Sequence, residues 1–150
     1  MASTLTNLLY HIVFSTKNRE PIITAPIRAD FYKYIGGIIR GEGGKLLEIG
    51  GVQDHVHLVV RFKSDPSVAT MVKIIKSKSS AWLNAKPRRP GRFEWQRGYA
   101  AFTVSVSQLE KVRIYVRNQE QHHRRKTFQD ELRGLLLRHE IDYDERYLWD

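Results

Sequence analysis

His55 and His57 flank a single valine inside an apolar run covering residues 52–62. Such a run reads as a β-strand, where side chains two apart share a face and lie roughly 6–7 Å apart at the backbone. Two imidazoles at that spacing can grip one metal ion, or can simply stack and hydrogen-bond. Val56, Leu58 and Val60 fall on the opposite face and read as core. The histidine face is therefore kept for something other than simple packing. Asp54, just before the pair, is either an ordinary turn residue or an acceptor that fixes the tautomer of His55.

A second motif, Tyr-Val-Arg-Asn-Gln, occupies residues 115–119. Tyr115 and Gln119 are four apart on a helix and face the same way, with Lys111 a turn earlier and Val112 and Val116 at the border. A tyrosine there is either half-buried packing or a nucleophile. A glutamine there is either a plain polar group or an amide oxygen completing a site for a hard divalent ion such as Mg²⁺ or Mn²⁺. Lys111 is a candidate helper to the tyrosine.

The elements that must position these residues follow from periodicity. Residues 5–16 suggest a first strand, 26–40 a helix ended by Gly41, Gly43 and Gly44, and 45–52 and 55–62 two strands joined by a tight turn. Ser64-Asp65-Pro66-Ser67 opens a helix to about residue 84, with Val68, Met71, Val72, Ile75, Ser79 and Trp82 as its apolar stripe. An exposed basic loop at 86–92 precedes a strand at 99–106. Ser107 is expected to cap a helix over 108–123, and a last helix over 128–139 leads to an aromatic, acidic tail. The order β-α-β-β-α-β predicts an α+β fold. It is a split β-α-β, ferredoxin- or RRM-like antiparallel sheet with helices on one face, followed by a C-terminal tyrosine-bearing helix. The opposite sheet face is then free for a site.

With 150 residues the chain reads as one domain, 1–150, and its 41% hydrophobic content is ordinary for a globular protein. A net charge of +9 points to a polyanionic partner, nucleic acid being the commonest. The absence of cysteine excludes disulfides, thiolate metal sites and a cysteine nucleophile. The first residues do not form a signal peptide, and no apolar run approaches the roughly 18 residues of a membrane span. No membrane association is expected, and the location expected is cytoplasmic. Lys17, Arg19, Lys73, Lys76, Lys78 and Arg97, with Arg88, Arg89 and Arg92, are candidate phosphate contacts or a solvated charged face. Trp95 and Tyr99 either stack on unpaired bases or cover the sheet, with Tyr99 expected in the core.

Four stretches carry a resemblance along nearly the whole chain: Y-H-I-V-F-S-T-K-N-R-E-P-I, G-G-V-Q-D-H-V-H-L-V-V, W-Q-R-G-Y-A-A-F-T-V-S and V-R-I-Y-V-R-N-Q-E-Q-H-H. Together they resemble the single-tyrosine HUH transposases of the IS200/IS605 insertion-sequence family. The resemblance implies that His55 and His57 bind a divalent metal, that Gln119 supplies a third ligand and that Tyr115 is the nucleophile. It implies cleavage and rejoining of single-stranded DNA at hairpin-bearing ends through a 5′-phosphotyrosine, with no nucleotide cofactor. It also implies a homodimer in which the tyrosine helix of one subunit completes the histidine site of the other. Two alternatives share the features: an HUH nickase acting on repeated palindromes, and a non-catalytic RRM-like binding module. The second is disfavoured because histidines stand where such a module carries aromatics.

Overall fold

The apolar alternation and helical stripes resolve, in the computed structural model, into β1 (Leu8–Ser15), α1 (Ala25–Gly41), β2 (Lys45–Gly51), β3 (His55–Phe62), α2 (Val68–Asn84), β4 (Ala100–Thr103), α3 (Leu109–Arg117), α4 (Gln119–His122) and α5 (Phe128–Arg138). The structure describes residues 2–87 and 91–150, so Arg88 and Arg89 lie outside the described residues. The strands form one antiparallel sheet in the order β2-β3-β1-β4. This is the split β-α-β topology expected. No helix among the described residues is long and apolar enough to cross a membrane.

One sheet face is packed by α1 and α2. Ile12 and Phe14 of β1 and Val56, Leu58 and Val60 of β3 meet Phe31, Ile35 and Ile39 of α1 and Met71 and Ile75 of α2, all of them buried. Each such side chain contributes about 1.5–3 kcal/mol on leaving water. Gly43 ends α1 with φ 81°, the left-handed conformation that lets the Gly44 N–H reach back 3.0 Å to the Ile39 carbonyl. Ser67 caps α2 by accepting the Thr70 N–H at 3.1 Å.

The other face is not free. The apolar stripe of α5, Phe128, Leu132, Leu135 and Leu136, closes on Val13 of β1 and Phe102 of β4. A helix with such a stripe must bury it, and this sheet face is where it does so. His55 and His57 are consequently fully buried rather than displayed. Three local expectations also shift. The strand foreseen at 99–106 shortens to β4, which pairs only with residues 10–13 of β1. The helix foreseen over 108–123 breaks at Asn118 (φ −96°, ψ 26°), a residue type whose side chain competes with helical backbone bonds. Ser107 caps nothing, because its hydroxyl is 3.0 Å from that of Ser105 and Gln108 takes the N-cap position.

Candidate active site

Register and close packing bring the chemistry-bearing residues together. In the β1–β3 pairing His57 stands opposite Val13 and His55 opposite Ser15, which sets both imidazoles on the α5 side of the sheet. His11, two residues before Val13 and on the same face, meets His57 with Nε2 and Nδ1 2.8 Å apart. Asp54 is the acceptor the sequence allowed for, its Oδ1 2.8 Å from His55 Nδ1. Helix α3 crosses β2 at Gly50, where a side-chain carbon would fall 1.9 Å from the Val116 carbonyl oxygen. That approach presents the Tyr115 ring edge-on to His57, with centroids 5.8 Å apart. The break at Asn118 then turns Gln119 inward to full burial, His123 follows it, and α5 adds Glu131, buried as well.

Five donor atoms converge on one point. His57 Nε2 and His123 Nε2 each lie 3.0 Å from Glu131 Oε1, and His55 Nε2 lies 3.5 Å from it. Gln119 Oε1 is 3.3 Å from His55 Nε2 and 2.9 Å from His123 Nε2. Neighbouring ligands on an ion with bonds of about 2.1 Å stand about 3.0 Å apart in an octahedron and about 3.4 Å apart in a tetrahedron. The spacings and the donor types thus suit a divalent metal ion. The remaining carboxylate oxygen, Glu131 Oε2, accepts hydrogen bonds from the Tyr115 hydroxyl and from Gln119 Nε2.

Burial governs the electrostatics. Desolvation, helped by the neighbouring His55 and His123, pulls His57 down to about 4, and burial beside His57 holds His11 well below its ordinary value. Burial lowers His55 too, but its bonds to Asp54 and Glu131 outweigh that and the net shift is upward. Burial would raise Glu131, yet the three imidazoles around it hold it far below the carboxylate range. Burial and the Glu131 charge push Tyr115 up, so the resting phenol keeps its proton. Lys111 is exposed on α3, and the group on the phenol is Glu131 instead.

Residues 4–119 match the family model described as Transposase IS200 like. The chain belongs to the IS200-like transposase family. It is 27% identical over 124 residues to the IS200 transposase of Salmonella typhimurium, covering 79% of this chain and 81% of the relative. It is 22% identical over 117 residues to the ISDra2 transposase of Deinococcus radiodurans, covering 75% and 84%. Among solved structures it is similar in fold to a candidate transposase of Deinococcus radiodurans, with TM-score 0.63, 23% identity and coverage of 79% and 95%. It is also similar in fold to a REP-associated tyrosine transposase bound to a REP hairpin, with TM-score 0.56, 11% identity and coverage of 77% and 70%.

Within this transposase the structure brings His55, His57, Gln119 and Tyr115 to one place. In the single chain described, α3 lies over the histidines of its own chain. Sequence reasoning missed His11, His123 and Glu131. Glu131 left a signal: a charged residue in the stripe of Phe128, Leu132 and Leu135 must be paired if that stripe is buried.

The basic residues separate into kinds. Lys17 pairs with Glu94 at 3.1 Å, Lys78 faces Glu42 at 3.8 Å and the Arg19 guanidinium sits 5.4 Å above Trp149. Lys73 and Arg97 line an open cleft of roughly 440 Å³ between α2 and residues 92–99, together with Arg92 and Tyr99. Lys76 serves as a structural clip, its ammonium donating to the carbonyls of Gln96, Arg97 and Gly98 at 2.9, 3.3 and 2.6 Å. Lys76→Met is expected to lower stability by about 1–2 kcal/mol in a thermal melt, while the salt dependence of DNA binding stays as it was. Trp95 takes the second of its two alternatives, whereas Tyr99 leaves the core expected for it. Trp95 is core, donating to Ser79 Oγ at 3.0 Å, and Tyr99 is 40% exposed.

Proposed function

We propose that this transposase cleaves and rejoins single-stranded DNA at hairpin-bearing element ends through a covalent 5′-phosphotyrosine on Tyr115. The observation that carries the reading is the position of the Tyr115 hydroxyl between the buried donor cluster and an open, basic pocket. That pocket, roughly 860 Å³, is lined by Tyr115, Asn118, Gln121, His122, Arg124, Arg125 and Lys126. A strand entering it meets the nucleophile at its wall and cations along its backbone.

In the proposed step the Tyr115 oxygen bonds to phosphorus and the bond to the 3′ oxygen breaks. The phenol proton is released and the departing oxygen gains one to become a 3′-OH. His55, His57 and Gln119 would hold a divalent ion, Mg²⁺ or Mn²⁺, which polarises the phosphate and offsets charge growing on its oxygens. Glu131 orients the phenol by accepting its hydrogen bond, and Gln119 steadies Glu131 by donating to the same oxygen. No water attacks, so the bond energy is retained in the phosphotyrosine. A 3′-OH from another end reverses the step without a nucleotide cofactor. One tyrosine holds one DNA end, so strand exchange calls for a homodimer.

The test is a denaturing gel of the full chain with labelled single-stranded DNA carrying the hairpin that flanks its gene, with Mn²⁺ or Mg²⁺. The expected result is a metal-dependent covalent band whose peptide map places the adduct on Tyr115. Tight binding with no covalent band on that substrate would overturn the reading in favour of a DNA-binding module. Arg124→Glu with Arg125→Glu is expected to weaken strand binding and to reduce the slope of log affinity against log salt by roughly 0.7 per lost phosphate contact. A filter-binding series across salt concentrations measures it.

A further inference from the structure

Residues 120–150 lie beyond the stretch matched by the family, yet they deliver His123 and Glu131 into the donor cluster. Hydrogen bonding explains what those two residues do there. His55 Nδ1 faces the Asp54 carboxylate at 2.8 Å and His123 Nδ1 faces the Lys126 carbonyl oxygen at 2.8 Å. Both partners can only accept, so both Nδ1 atoms carry the hydrogen. A neutral imidazole has one, which leaves the Nε2 lone pairs of His55 and His123 pointing inward. Gln119 spends its NH₂ on Glu131 Oε2 at 3.1 Å, so its carbonyl oxygen also points inward. Glu131 Oε1 joins them, 3.0 Å from His57 Nε2 and from His123 Nε2.

Acceptors facing acceptors in a buried space repel unless a cation stands among them. A neutral His57 can donate from Nε2 to Glu131 Oε1 while its Nδ1 accepts from His11, but the same service from His55 and His123 would place two further charges in a buried site beside one carboxylate. A single divalent ion satisfies the inward acceptors at once, and their contacts of 2.9–3.5 Å are the lengths of edges in a coordination shell.

We propose that His123 and Glu131 are metal ligands, so that the C-terminal segment completes, with His55, His57 and Gln119, a site of three imidazoles, one amide oxygen and one carboxylate. The proposal rests on the metal-assisted reading above and refines its ligand set. Asp54 and the Lys126 carbonyl act as the outer partners that fix imidazole orientation. The set also decides the class of metal. Mg²⁺ favours oxygen ligands and retains its waters, whereas imidazole-rich sites favour Mn²⁺, Co²⁺ or Zn²⁺. Glu131 binds inward through Oε1 and holds the Tyr115 hydroxyl through Oε2, so one carboxylate ties the metal to the nucleophile.

The test uses metal-free full-length protein and Co²⁺ as the probe. Affinity is followed by calorimetry and the ligand field by visible absorption, with no DNA present. Glu131→Gln and His123→Asn are each expected to weaken Co²⁺ at least about tenfold, to change the absorption bands and to shrink the metal-induced rise in Tm. Circular dichroism reports whether each variant folds. Should one not fold, the other decides. Unchanged affinity and bands in both variants, with binding abolished in His57→Ala, would overturn the proposal and leave the metal-assisted reading standing. A wild-type chain that binds none of Co²⁺, Mn²⁺ and Zn²⁺ would overturn both, and adduct formation in a chelator would then show whether the tyrosine chemistry survives alone.

Discussion

Tyr115→Phe is expected to remove the covalent DNA adduct entirely while leaving the fold and strand binding in place. The phenyl ring keeps its edge contacts with His57, His11 and His122, at centroid separations of 5.8, 6.1 and 5.2 Å. What disappears is one hydroxyl and its hydrogen bond to Glu131. That carboxylate retains Gln119 Nε2 at 3.1 Å and two imidazole nitrogens at 3.0 Å, so no buried charge is left unpaired. The stability change should therefore stay near about 1 kcal/mol. The chemical change is total, because no bond to phosphorus can form without the oxygen. A thermal melt, a strand-binding curve and a denaturing gel on the same preparation separate these effects. An adduct that survives the substitution would place the nucleophile on another residue.

The resting site keeps the Tyr115 phenol in its uncharged form. Burial and Glu131 raise the pKa of the phenol, so it stays protonated and inert. A positive charge beside Glu131 removes part of that penalty, which is what a cation among the inward donors would supply. The tyrosine is thus held ready but uncharged until cation and strand are both present, under the proposed mechanism.

The parts of the site written in local spacing were readable in the sequence. His55 and His57 share a strand face because strands alternate, and Tyr115 and Gln119 meet because a helical turn returns every three to four residues, even across the break at Asn118. The split β-α-β order was readable for the same reason. What escaped is long-range. His11 reaches His57 only once β1 pairs with β3, and Glu131 reaches the histidines only once α5 covers the sheet. The covered second face follows from the α5 stripe, a pattern that shows a face to be buried without naming its partner. Trp95 was left open and Tyr99 misplaced because both stand in an irregular segment, where no period says which way a side chain points. The Ser79 hydroxyl, waiting on the buried side of α2, is what decides for Trp95.

Gly50→Ala is expected to abolish activity by a different route, through the distance between α3 and β2. The added carbon would sit 1.9 Å from the Val116 carbonyl oxygen and 2.9 Å from its carbon. Both obstacles are backbone, so no rotamer change relieves them and α3 must lift from the sheet. Overpacking generally costs about 1–3 kcal/mol, and a backbone obstacle puts this case at the upper end. Val116, itself fully buried, is the residue after Tyr115, so the same movement carries the hydroxyl away from Glu131. Adduct formation should fail even at temperatures where circular dichroism shows the variant folded, because a misplacement of about 1 Å suffices to cost a hundredfold in rate. Gly41→Ala is the matched control. Nothing lies within 4 Å of the added carbon at the end of α1, and the substitution should leave activity unchanged while adding up to about 1 kcal/mol of stability. If Gly50→Ala melted and reacted like Gly41→Ala, the close seat of α3 on β2 would not be what positions the tyrosine. The difference between two glycines, one against backbone and one against solvent, is therefore a direct measure of how far the sheet itself sets the geometry of Tyr115.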